Sequence, residues 1–152
     1  MEPSRNGRPD PAVGVVVGGH GRFAAEMVET LLSVVGDLEG VEGVVCRPEA
    51  EPEVIHSAIL QAVERVDQGA GAIVFTDMLG DTATNASLAV AESHDAVEVV
   101  TGVNMPMLMK LTTARAGTRA RELADFIRRY GQEHIRVPTR DGARSEGGRS
   151  RT

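Results

Sequence analysis

Four short runs of β-branched and small apolar residues, each followed by a stretch of helical periodicity, restrict this chain more than any other feature of its sequence. The runs are residues 13–17, Val41–Cys46, Ala72–Thr76 and residues 96–101. They carry few polar side chains, as strands buried on both faces do, and Glu98 is the single charge in the last. Phe23, Met27, Leu31, Val34 and Val35 then recur three to four apart, one helix face ending before Gly36. After the second run, Glu51-Pro52-Glu53 makes a favourable first helical turn. Val54, Ile55, Ala58, Ile59, Ala62, Val63 and Val66 continue that helix.

After the third run, Thr82 is the expected N-cap of a small-residue helix reaching Ala91. After the fourth, Asn104 is the expected N-cap and Pro106 sits in the first turn of a helix reaching about Arg115. A last helix is predicted from a Thr118 cap, with Leu123, Phe126, Ile127 and Tyr130 as its buried face and Gly131 as its stop. Residues 134–137 read as a short strand.

Strand and helix alternating four times call for parallel strands joined by right-handed crossovers. The predicted fold is therefore α/β, a single-domain three-layer sandwich with a mainly parallel open sheet and helices on both faces. At 152 residues the chain fits one domain, expected to span residues 12–138. Residues 1–11 and 139–152 are rich in Pro, Gly, Ser and charge, and read as a disordered arm and tail.

Composition removes several function classes. Within 12–138 there are 18 Asp and Glu against 10 Arg and Lys, and aromatics make up 3% of the chain. A nucleic-acid-binding face wants the opposite balance. No apolar run is long enough to span a bilayer, so no membrane insertion is expected. The first ten residues are polar, without the apolar core of a signal peptide, and Cys46 is the one cysteine. A reducing, cytoplasmic setting follows as the expectation.

The candidate chemistry lies at the strand ends. Gly18-Gly19-His20-Gly21-Arg22-Phe23 places a histidine between glycines at a strand-to-helix junction. Histidine titrates nearest neutral pH, so it serves as nucleophile or base; a capping or solvent-facing role is the plain alternative. Ligands of open α/β sheets gather at the carboxyl ends of the strands. The first, third and fourth strands deliver His20, Asp77 and Asn104 there. An aspartate beside such a histidine accepts the Nδ1 proton and leaves the Nε2 lone pair outward, although Asp77 is equally readable as a helix-capping acid. Thr82 and the amides of the third strand-helix turn suit an anion at a helix amino end. His56 and His94 fall on expected helix surface and loop. No metal constellation is apparent, since the histidines are scattered and His20 with Asp77 gives too few ligands for zinc.

Three stretches carry a family resemblance: Gly19-His20-Gly21, the Asp-x-x-Gly-x-Thr-x-x-Asn pattern from Asp77 to Asn85, and Gly102-Val103-Asn104-Met105-Pro106-Met107-Leu108. Together they resemble the IIA component of the mannose family of the bacterial phosphotransferase system (PTS), over about residues 13–130. The resemblance implies that His20 is phosphorylated, receiving phosphate from the carrier HPr and passing it to a IIB protein. It implies that Asp77 orients His20 and that Gly21, Gly80, Asp81 and Thr82 adjoin the phosphate, with no cofactor and no metal. It also implies a homodimer exchanging a carboxy-terminal antiparallel edge strand, for which residues 134–137 are the candidate; many family members continue into a fused IIB domain, and since only a short tail follows here, a IIB partner is expected on a separate protein.

Two residues depart from the family pattern. Ala83 replaces a usual proline, and Asp81 replaces a usual glycine, setting a negative charge near an incoming phosphate. A purely regulatory phosphorylation module is the alternative reading, and it places the same demands on these residues. A histidine-phosphatase reading wants an arginine just before the histidine, where Gly19 stands. A nucleotide-binding reading wants a Gly-x-Gly-x-x-Gly loop, which the first junction lacks.

Overall fold

The structure is a computed structural model that describes residues 9–141. Four strands form one all-parallel sheet: β1 (Gly14–His20), β2 (Val41–Cys46), β3 (Ala72–Thr76) and β4 (Val97–Thr101), in spatial order β2-β1-β3-β4. Five helices accompany them: α1 (Phe23–Val35), α2 (Pro52–Val66), α3 (Thr82–Ser93), α4 (Met105–Ala114) and α5 (Ala120–Glu133). The expected three-layer α/β architecture is present. The outer parts of the expected arm and tail, residues 1–8 and 142–152, lie outside the described residues.

Side-chain alternation along the strands builds a core on each face of the sheet. Val15, Val17, Ile73, Phe75 and Val100 turn to one face, where α1, α4 and α5 cover them. Val16, Val74, Ala72 and Val97 turn to the other, beneath α2 and α3. Ile73, Val74 and Phe75 are fully buried. At about 1.5–3 kcal/mol for each large apolar side chain, β3 contributes heavily to stability.

Several expectations change on contact with the packing. β1 does not stop at Val17 but continues through Gly18 and Gly19 to His20, paired with β2 as far as Cys46. The buried face of α1 is Ala24, Val28 and Leu31, while Phe23 and Val34 are exposed. Close approach is the reason: the position a Cβ would take on Gly43 lies 3.0 Å from the Ala24 carbonyl oxygen. The missing side chain of Gly43 lets the backbones of β2 and α1 meet there.

α5 begins at an Arg119 N-cap with no side-chain cap, rather than at Thr118. Its buried residues include Leu123 and Ile127, whereas Phe126 is exposed. Gly131 does not stop α5, which runs on to Glu133. The missing side chain makes room for Met107, whose Cγ lies 2.6 Å from where a Cβ would stand.

Residues 134–137 form no strand. His134 caps α5, its Nδ1 2.7 Å from the Tyr130 carbonyl and its ring stacked on Tyr130 at 3.9 Å. The chain then closes a turn instead of reaching a sheet edge: the Arg140 N–H donates to the Val137 carbonyl at 2.9 Å. Among the described residues the sheet therefore has no antiparallel edge strand.

Candidate functional site

Parallel pairing brings the ends of β1 and β3 together. Gly18 lies opposite Thr76, so His20 and Asp77 emerge side by side at the carboxyl edge of the sheet. The Asp77 Oδ2 accepts two hydrogen bonds from one residue, from the His20 backbone N–H at 3.0 Å and from its ring Nδ1 at 2.7 Å. Oδ1 accepts from the Met78 N–H at 2.9 Å. Burial alone would raise the Asp77 carboxyl, but these bonds outweigh it and hold the group down at about 2. An ionised carboxylate only accepts, so Nδ1 carries the proton and Nε2 presents its lone pair.

Asp81 lies beside the histidine and also takes the helix-cap place expected of Thr82. It, not Thr82, is the N-cap of α3, with Oδ1 accepting from the Thr84 N–H at 2.7 Å. Its Oδ2 stands 3.3 Å from the His20 Nδ1. Both carboxylates are sheltered, with side chains 13% exposed for Asp77 and 8% for Asp81, beneath a His20 side chain that is 58% exposed. The pKa of His20 is raised, first by the Asp77 hydrogen bond, then by the Asp77 charge and to a lesser degree that of Asp81. The three donor atoms lie within 4.8 Å of one another. The Nδ1–H donated to Asp77, with Asp81 beside it, accounts for that convergence, and no metal is assigned.

Two threonines hold the loop that carries both acids. The Thr84 hydroxyl donates to the Met78 carbonyl at 2.7 Å and lies 2.7 Å from the Thr76 hydroxyl, with both side chains buried. Since Thr84 has one proton to give, Thr76 is the donor of that second bond. Sequence reasoning missed both, although a threonine pair bracketing the Asp77–Asp81 loop was a visible signal.

Thr82 is the first residue of α3 and lines a cavity of about 60 Å³ beside His20, together with Asp81, Ala83, Cys46 and Arg47. Arg47 was also missed; it is the cation among the residues lining this cavity. Gly21 and Gly80, at φ 54° and 87°, shape their loops without lining the cavity. At the head of α3, the Asp81 carboxylate already holds the Thr84 amide, which reduces what that helix end offers an anion. Asn104 is the N-cap of α4 as expected, and its Nδ2 donates to the Gly131 carbonyl at 3.2 Å, tying α4 to α5. His56 lies on α2 beside Thr82, and the His94 Nδ1 sits 2.9 Å from the Val90 carbonyl; neither contacts His20.

Gly19 has a structural task beyond flexibility. A Cβ there would lie 2.9 Å from the Asp77 Cγ, 3.0 Å from its Oδ2 and 3.1 Å from the Phe23 Cδ1. Gly19→Ala should therefore fold, at a cost of about 1–3 kcal/mol from overpacking, while pushing Asp77 away from the ring. An NMR titration of His20 in this variant should fall back toward the ordinary 6.5. An unchanged titration would mean that Gly19 does not set the contact.

The chain is similar in sequence to curated proteins and in fold to solved structures. The mannose-specific EIIAB component of Escherichia coli (strain K12) is 26% identical over 103 residues, 68% of this chain. The chain spans about a third of that relative's length, 32%. The fructose-specific EIIA component of Bacillus subtilis (strain 168) is 19% identical over 125 residues, covering 82% of this chain and 86% of that one. Among solved structures, a PTS component EIIA from Streptococcus agalactiae superposes with a TM-score of 0.75 at 22% identity, covering 84% of this chain and 98% of that one. The mannose/sorbose-specific IIA subunit from Enterococcus faecalis gives a TM-score of 0.75 at 20% identity, covering 83% and 94%. These two likenesses establish the fold. The EIIA-man family model, described as PTS system fructose IIA component, matches residues 14–128, well over half of the sequence, and the chain belongs to that family.

Proposed function

We propose that this protein is a phosphohistidine carrier of the phosphoenolpyruvate-dependent phosphotransferase system. His20 accepts a phosphoryl group from HPr and passes it to a IIB protein, in the cytoplasm. The observation that carries the reading is the 2.7 Å contact between His20 Nδ1 and Asp77, which aims the Nε2 lone pair at an incoming phosphorus. Family membership supports the same chemistry. Thr82 and the glycine-turned loops at Gly21 and Gly80 flank the phosphoryl group, and Asp77 holds the tautomer. The protein is a phosphotransferase component that turns over only with its partners.

Incubation with phosphoenolpyruvate, enzyme I and HPr should add one acid-labile phosphoryl group, and His20→Ala should abolish it. Asp77→Asn should slow labelling at least about tenfold, because the amide offers its own N–H to Nδ1 and favours the wrong tautomer. Labelling retained in His20→Ala, or found on His56, His94 or His134, would overturn the carrier role.

The reading also makes the protein a homodimer, joined by the segment after α5. Ile135 and Val137 are exposed apolar residues on that segment, and β4 ends the sheet with an unpaired edge. Exchange of an identical element is a low-cost route to a twofold dimer. The full chain should sediment as a dimer and a chain lacking residues 135–152 as a monomer. A dimer from the shortened chain would remove the exchanged strand from the account.

A further inference from the structure

The start of α3 needs only a hydrogen-bond acceptor, and a neutral side chain would supply one. Asp81 meets that need with Oδ1 and keeps a second, charged oxygen 3.3 Å from the His20 Nδ1. Asp77 approaches the same nitrogen at 2.7 Å. Two sheltered carboxylates thus face one side of the ring, and its Nε2 side is left to the reacting phosphorus. We propose that Asp81 is a positioning residue for phosphoryl donation: with Asp77 it retains the proton on Nδ1 of phosphorylated His20, keeping the phosphorus–Nε2 bond ready to break. This inference rests on the carrier reading above.

The electron balance shows why the proton matters. When the Nε2 lone pair bonds to phosphorus, the donor's bond to phosphorus breaks and its electron pair leaves with the donor. The ring, still protonated at Nδ1, is then cationic. On donation an incoming nucleophile bonds to phosphorus, the phosphorus–Nε2 pair returns to Nε2, and the ring departs as neutral imidazole with its Nδ1 proton in place. Had that proton been lost first, the leaving group would be an imidazolate anion, which departs poorly. Two carboxylates oppose the loss by stabilising the cationic ring.

The other charged and titratable groups around the ring do not cancel this arrangement. Arg22, at the head of α1, is engaged with Glu26 at 2.9 Å. The Cys46 thiol at the end of β2 is pushed up by burial and stays neutral. α2 lends the cavity only the apolar Ile55, and Arg47 is the one cation lining it, alongside the anion Asp81. The direction of the His20 shift in the free protein agrees, with both acids raising it.

Asp81→Asn separates the charge from the cap, because the amide oxygen still accepts the Thr84 N–H. Wild type and variant are phosphorylated with the small-molecule donor phosphoramidate, then followed against pH by nitrogen NMR of His20 and by the rate of phosphate release to water. In Asp81→Asn the Nδ1 proton should leave at lower pH, and phosphate release should begin to slow at correspondingly lower pH. Coincident titrations and release profiles would overturn the inference, whereas loss of a helix cap alone would move neither. If phosphoramidate labels His20 and the profiles separate while HPr transfers nothing, the role of Asp81 stands and the carrier reading falls.

Discussion

The hydrogen bond between the His20 Nδ1 and Asp77, at 2.7 Å, is the contact on which the rest of this site depends. It fixes the tautomer of an exposed imidazole and leaves its Nε2 lone pair outward. Much of the fold serves it. The parallel register of β1 and β3 brings the two residues to one edge, and Gly19 leaves the space that Asp77 fills. The Thr76–Thr84 hydroxyl pair and the Met78 carbonyl keep the acid's loop in place from below. A carboxylate placed this way stays ionised because its bonds from His20 and Met78 outweigh the burial that opposes ionisation.

The layered architecture was legible in the sequence because its signals are local and redundant. Short β-branched runs, with helical periodicity between them, leave few topologies. Details that depend on a partner across the core were not legible. Nothing in the spacing of α1 distinguishes Phe23 from Ala24 as the contact, until Gly43 and the α1 backbone are seen to meet. Gly131 resembles a helix stop in isolation and becomes a packing position only once Met107 lies against it. The segment 134–137 has strand composition, yet a strand needs an edge to pair with, and within the described chain a turn takes its place.

The site divides in the same way. His20 and Asp77 could be joined from sequence because each follows a strand at the carboxyl edge. Asp81 was placed near His20 by the family resemblance alone, and its capping role was not legible, because the N-cap of α3 falls one residue before the expected Thr82. That single-residue difference gives Asp81 both a structural oxygen and an oxygen facing the ring. A second negative charge so near the proposed phosphoryl site looks unfavourable when counted by charge alone. It becomes intelligible when the ring, not the phosphate, is taken as the group it acts on.

The central claim is that Asp77 reserves Nδ1 for a proton and leaves Nε2 for phosphorus. A long-range proton–nitrogen correlation spectrum of the protein phosphorylated through HPr tests it most directly, because the two ring nitrogens give distinct patterns. The account predicts phosphorus on Nε2 of His20, with Nδ1 still protonated at neutral pH. Phosphorus on Nδ1 would contradict it.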